Sequence, residues 1–247
     1  MASKIIVDQL EKTGGALTAL TLPTSNASAS EFLQNDGAGA LSWSSAAAGF
    51  NSVQVFTGGG TWSKTTNNPT KIIVEVVGTG GGGCRNDSGG TTLTGGAGGG
   101  YAKKFLDVTN IDTATVAIGA VGARAGVGVN PEVGVAGGAS SFIKLAGSGS
   151  FTDIIGNGGA GGNITGYVAA TGGTATGGDI NIQGGVGGTF SLSSKGGDTP
   201  LGFGGQNLNT GSSSDIDATG YGAGGGAGQS RDAGIASAGV VIVWEYK

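Results

Sequence analysis

The 247-residue chain has no histidine, one cysteine (Cys84), one methionine, four prolines, and charged residues at only 11 %. Each scarcity closes off a class of protein. Without histidine there is no imidazole metal ligand, no Ser–His or Cys–His nucleophile, and no side chain that ordinarily titrates near neutral pH. One cysteine makes no intrachain disulfide and no zinc cluster. Four prolines and no strict Gly-X-Y period exclude a collagen-type triple helix. Twelve basic against sixteen acidic residues, a net charge of −4, leave no electrostatic footprint for nucleic acid. No apolar run reaches the ~18 residues of a membrane-spanning helix. The opening MASKIIVDQLEK carries acids and no long apolar stretch, so it does not read as a secretory signal. Synthesis in the cytoplasm without membrane insertion is expected.

Glycine is what abounds, at 57 residues, roughly three times the usual share. Each interior glycine costs a helix about 1 kcal/mol relative to alanine, so a helical protein is not expected. The distribution is uneven. Residues 1–57 hold five glycines and the remaining 190 hold 52. The shift puts a boundary near residues 45–52 and divides the chain into 1–50 and 51–247. The first part contains FLQNDGAGALSW (32–43), with Asn35-Asp36-Gly37 as a turn between two short extended pieces. So small a segment cannot bury much core alone, which points to copies of itself or a docking protein as partner.

The second part is framed by strands. VQVF (53–56), KIIVEVV (71–77), YAKKFLDV, TATVAIG, SSFIKLA and the closing GVVIVWEY all carry the β-branched and aromatic pattern of strands. In 71–77, Ile72, Val74 and Val76 share one face, Ile73 and Glu75 the other. KIIVEVV and GVVIVWEY are suited to pair in one sheet, which a disordered glycine linker would not be.

Between these strands the unit GGxGG recurs, at 95–99, 158–162 and 184–188, with a near match at 222–228. A polyproline-II-type helix has three residues per turn, so residues i and i+3 share a ridge. In GGxGG two ridges are bare and the third carries one small side chain. Bare ridges let backbones approach and exchange N–H···O=C bonds. The expected fold is therefore mostly β, a short N-terminal attachment and oligomerisation segment followed by a strand-framed domain of stacked polyglycine-II-type helices with surface loops. The competing reading is a set of unrelated glycine-rich turns between strands. The polar pieces between glycine runs become loops, including CRNDS (84–88), NITGYVAAT (163–171), DTPLGF (198–203) and QNLNTGSSSDIDAT (206–219).

Two stretches resemble phage tail-fibre proteins and adhesins with a glycine-rich domain. VQVFTGGGTWSKTTNNPTKIIVEVVGTGGGG (53–83) is similar to the opening of that domain, and GGAGGGYAKKFLDV (95–108) and GVVIVWEY to its later parts. FLQNDGAGALSW resembles an element of tail-fibre N-terminal regions. The resemblance covers about residues 30–108 and the last eight. It implies a virion structural protein, commonly a homotrimer joined to other phage tail proteins, whose loops at one end contact the host. At 247 residues the chain departs from the large adhesins in having no long fibrous shaft.

Few residues point to catalysis. Gly78, Gly80 and Gly83 match G-x-G-x-x-G after a strand, but CRNDSGGTTLTGG cannot be the helix a dinucleotide site needs. Asp179, Asp198, Asp215 and Asp217 lie in glycine-rich loops and read as turn caps rather than a glycosidase pair or a calcium loop. Cys84 stands beside Arg85, whose charge would lower its pKa, but without histidine it reads as a structural thiol. Trp43, Trp62 and Trp244 read as packing anchors. No catalytic residue, metal or cofactor is expected. The expected function is host-surface attachment by a tail fibre or tail tip, through loop recognition of bacterial glycan or outer-membrane protein. Aromatic faces stack on sugar rings while Asn and Arg bond hydroxyls. The candidate contacts are Arg85, Asn86, Tyr167, Phe203, Asn207 and Tyr221. The alternative is a purely structural virion part (a short fibre, connector or head decoration). An ice-binding or matrix protein would want regular Thr or Ala on one ridge and a signal peptide.

Overall fold

The computed structural model describes residues 9–10, 20–28, 31–36, 40–45, 49–86, 92–126, 132–166, 168–190, 194–206, 217–229 and 232–247. The chain divides into two compact units, Met1–Gly49 and Phe50–Lys247. In the first, β1 (Gln9–Leu10) pairs with β2 (Leu20–Thr21) and β3 (Glu31–Asn35) with β4 (Leu41–Ser45), both antiparallel. The Trp43 indole N–H donates to Ser25 O at 2.6 Å. Phe32 and Leu33 stay largely exposed, and the hydrophobic core clusters all lie in the second unit.

The second unit is mostly β, with no α-helix among its described residues. One five-stranded antiparallel sheet runs β14 (Ile180–Ile182), β9 (Tyr101–Asp107), β7 (Lys71–Val77), β18 (Val240–Tyr246), β5 (Phe50–Phe56). The other runs β13 (Ala175–Thr176), β12 (Ile154–Gly156), β11 (Ser140–Ala146), β10 (Thr113–Ala117), β6 (Gly60–Ser63). The alternation in 71–77 holds: Ile72, Val74 and Val76 are fully buried against Trp62, Leu106, Val116, Phe142 and Val243 of both sheets. KIIVEVV and VVIVWEY pair along their full length, from Val240↔Val77 to Tyr246↔Lys71. Trp62 packs on Phe142 at 5.9 Å. Two short pairs complete the strands of this unit, β8 (Leu93–Thr94) with β15 (Thr189–Phe190) and β16 (Gly202–Phe203) with β17 (Thr219–Gly220).

Glycine-rich segments leave these strands and return to them. The 78–86 segment runs through the middle of the others. Its N–H groups donate in rotation to three neighbours. Gly78 and Gly81 bond Gly100 and Ala97; Thr79 and Gly82 bond Gly138 and Val135; Gly80 and Gly83 bond Ser237 and Gly234. Its carbonyls accept from three more, at Gly122 and Ala125, Gly159 and Gly162, Gly225 and Gly228. The 94–100 segment repeats the pattern, donating in turn to 157–163, 183–188 and 221–229. Backbone thereby satisfies backbone inside a buried region that has few apolar side chains.

At the central glycines the spacing between neighbours leaves no room for a side chain. A Cβ on Gly81 would lie 2.0 Å from Ala160 O, and one on Gly96 1.9 Å from Gly81 O. The G-x-G-x-x-G match has the same fate: the space beside Gly78, Gly80 and Gly83 is filled by carbonyls of Asn157, Ala223 and Gly226.

The structure extends the glycine-rich region beyond what GGxGG marks. Residues 119–126 and 132–139 also bond to 78–86, although they carry Ala, Val and Arg. They lie on the periphery and face inward along one ridge only, where Gly119, Gly122 and Ala125, and Gly134 and Gly137, recur every third residue. Cys84, Arg85 and Asn86 likewise belong to the 78–86 segment and not to a loop: Arg85 N donates to Glu132 O at 2.9 Å and Asn86 N to Gly228 O at 3.2 Å.

Candidate functional site

Register defines two ends of the glycine-rich region. At the sheet end, Gly78, Gly100, Gly138, Asn157, Thr174 and Gly222 adjoin strands. At the other end, residues 84–86, 92–94, 126, 132, 163, 190, 194, 228 and 232 come together. They flank the connections 87–91, 127–131, 191–193 and 230–231.

This far end is closed by a polar layer over a small apolar plug. Arg85 Nη1 pairs with Asp232 Oδ1 at 3.1 Å, and Arg124 Nη2 with Asp232 Oδ2 at 3.3 Å. Glu132 Oε2 accepts from Gly126 N at 2.7 Å, and the Arg85 and Glu132 backbones exchange two bonds. Beneath lie Cys84, Leu93 and Ala227, with Ile164 packed on them. Thr94 and Asn163 tie the adjoining segments: Thr94 Oγ1 donates to Asn163 O at 3.1 Å and accepts from Asn163 N at 2.5 Å. The Cys84 thiol donates to Asn163 O at 3.1 Å. Burial pushes its pKa up to about 11, outweighing the bond accepted from Thr94 N–H. The expected lowering by Arg85 is not the outcome, because burial of the thiol dominates.

The structure does not gather the six candidate contacts into one surface. Arg85 and Asn86 are at the far end but buried. They hold the layer from which the connections depart. Phe203, on β16, is 72 % exposed. Tyr221 is half-buried against Val77, Tyr101 and Val240 at the sheet end, on the order of 20 Å from Arg85 at ~3.1 Å per residue. Its backbone is held by Leu201 and by the Thr199 hydroxyl. Tyr167 and Asn207 lie outside the described residues. Residue reading missed Arg124, Glu132, Asn163 and Asp232. The available signal is a charged or amide residue where a glycine run stops, since only a segment's end has room for a long side chain.

The carboxylates act as turn and strand caps. Asp179 accepts from Phe105 N at 2.9 Å and from Lys104, and the backbone bond, first, holds its carboxyl below the usual range. Asp198 accepts from Gly204 N and Lys195, and Asp217 from Ile235 N. Asp215 lies outside the described residues.

No family model matches the chain, and no curated protein matches it significantly.

Proposed function

We propose that this chain is a phage tail-fibre or tail-tip protein that attaches to the host surface through the far end of its glycine-rich region, without catalysis. The observation that carries the reading is the alternate bonding of 78–86 to six surrounding segments. Three residues per turn and the lack of room for a Cβ at Gly78, Gly80, Gly81, Gly82 and Gly83 are the properties of packed polyglycine-II-type helices. Such a scaffold is stiff, and several chain connections between its segments fall at one end, the usual arrangement for presenting residues to a ligand. The resemblance of 53–83 and 32–43 to phage fibres supports the same assignment. In this reading residues 1–50 join the chain to other tail proteins and to its own copies, as a homotrimer, and the partner at the far end is a bacterial glycan or outer-membrane protein.

The test is binding of the fluorescent full-length chain to a panel of bacterial cells and to their purified polysaccharide and outer-membrane fractions. Saturable binding is expected. Replacing 87–91 and 127–131 with Gly-Ser sequence of equal length is expected to reduce it at least tenfold with the far-UV spectrum unchanged. The burial of Arg85 and Asn86 favours a second reading, a purely structural virion part. That reading is correct if the chain incorporates into virions and binds no cell or fraction.

A further inference from the structure

The two sheets of the second unit have unlike outer faces. Outside the β13–β12–β11–β10–β6 sheet the register sets Thr115 between Thr61 and Ile143, with Ser141 and the exposed Leu145 flanking Ile143 on its strand, so hydroxyls alternate with single apolar side chains. Outside the β14–β9–β7–β18–β5 sheet the register aligns Val53, Trp244, Ile73 and Phe105 in one row across four strands. Phe50 packs on Trp244 and Tyr246 at 6.3 and 6.1 Å. Phe50, Val55, Phe105 and Ile180 are 60, 52, 53 and 52 % exposed. A groove of about 170 Å³ between Ile73, Phe105 and Ile180 indents the face toward β14. The patch thus crosses the sheet from edge to edge, and a contiguous apolar patch of this kind marks an interaction surface.

Its charges stand beside opposite charges: Lys71 lies across from Asp107 in the register, and Asp179, at the rim of the groove, pairs with Lys104 at 3.3 Å. Glu75 takes bonds from the Tyr101 hydroxyl at 3.0 Å and the Trp244 indole at 3.2 Å, and pairs with Lys103 at 3.2 Å. A strongly charged partner finds no complement here, whereas a second apolar face does. The sheet also ends on β5, whose sequence FNSVQVF has no charge and no proline. Monomeric proteins normally guard such an edge. β5 starts at Phe50, the residue after Gly49, where the first unit ends. That unit shows a pair of two-stranded ribbons and no core cluster among its described residues, and a lone hairpin is marginal in water. Whatever brings copies of the first unit together brings their β5 strands together by covalent continuity.

We infer that a second copy of this chain covers the outer face of the β14–β9–β7–β18–β5 sheet, with contact centred on Val53, Val55, Trp244 and Phe105. The inference rests on the reading of residues 1–50 as an oligomerisation segment, and it adds where in the second unit the copies meet. Phe50 and Trp244 supply the large anchors that dominate such interfaces.

The test uses the full-length chain and two readouts. Sedimentation at micromolar concentration is expected to give a multiple of the 23.5 kDa chain. In a Val55→Cys variant, maleimide labelling is expected to be at least ten times slower than in a Leu145→Cys variant, since Leu145 is exposed on the other sheet. Cys84 is buried and gives a low common background. A Val55→Lys/Phe105→Glu variant is expected to dissociate at a concentration at least tenfold higher than the unsubstituted chain. If the chain is oligomeric but Val55→Cys labels at the Leu145→Cys rate, the face assignment is wrong and the oligomerisation reading of 1–50 stands. A monomeric chain overturns both, while leaving host binding to its own assay. Slow labelling in a monomer means another occupant and overturns the inference. The labelling comparison decides even if the charged variant fails to fold.

Discussion

Glycine in the central 78–100 stretch serves proximity, not backbone freedom. Among the described glycines of 78–100 none has positive φ, the region that favours glycine for conformational reasons. What they lack is a side chain to hold neighbours apart. Gly81→Ala puts a methyl 2.0 Å from the Ala160 carbonyl, which is fixed by the Ala97 N–H it accepts and by the bonds of Gly159 and Gly162 to the 78–86 segment itself. It is expected to abolish the cooperative thermal transition, a cost above about 4 kcal/mol, while Gly58→Ala, with nothing within 4 Å, shifts the midpoint by no more than a degree or two. Calorimetry of the pair checks this. Cys84 adds a pH dependence. Its pKa is raised from 9.0 to about 11 in the fold, so between these values the unfolded chain loses the thiol proton and the folded chain keeps it. Stability therefore falls as pH rises from 9 to 11, by about 2–3 kcal/mol. Tyr101, raised by burial and by the Glu75 carboxylate, acts with the same sign above pH 10. Denaturant titrations of Cys84→Ala are expected to be flat between pH 9 and 10 where the unsubstituted chain declines.

The strands were legible because their signal is local. KIIVEVV, YAKKFLD and VVIVWEY carry β-branched and aromatic runs that need no context, and Ile72, Val74 and Val76 face the core as their alternation requires. The 119–126 and 132–139 segments were not legible as part of the glycine-rich region, since a peripheral segment needs a small residue only on the ridge it turns inward. Glu245 was invisible for a related reason: its partners come from distant sequence. Fully buried on β18, it accepts from the Gln54 amide and the Trp62 indole at 2.7 Å, from the Asn67 amide at 2.6 Å, and from the Ser52 hydroxyl. One carboxylate thus joins β5, β6 and the turn after Lys64–Thr66 to the last strand. Glu245→Ala leaves these donors unmet and is expected to cost about 3 kcal/mol or more. That corresponds to a melting point lowered by about 10 °C for a unit of this size. Glu245→Gln, which keeps one acceptor oxygen, is expected to lose less. Differential scanning calorimetry separates the two.

For the whole molecule, the candidate site splits along the direction of the glycine-rich region. The far end holds Arg85, Asp232, Arg124 and Glu132, and the sheet end holds Phe203 and Tyr221. Residue type alone cannot tell these ends apart, because exposed aromatics and amides occur at both. Phe203→Ala is therefore expected to leave cell binding within twofold of the unsubstituted chain in the assay that detects loss on replacing 87–91 and 127–131. A tenfold loss from Phe203→Ala would move the recognition surface to the sheet end.

The rotation of the 78–83 amides among three partners gives this region a structural reading frame. A single residue added or removed within a central segment turns every later amide by a third of a turn and hands it to the wrong neighbour. Lengths there can change only in triplets.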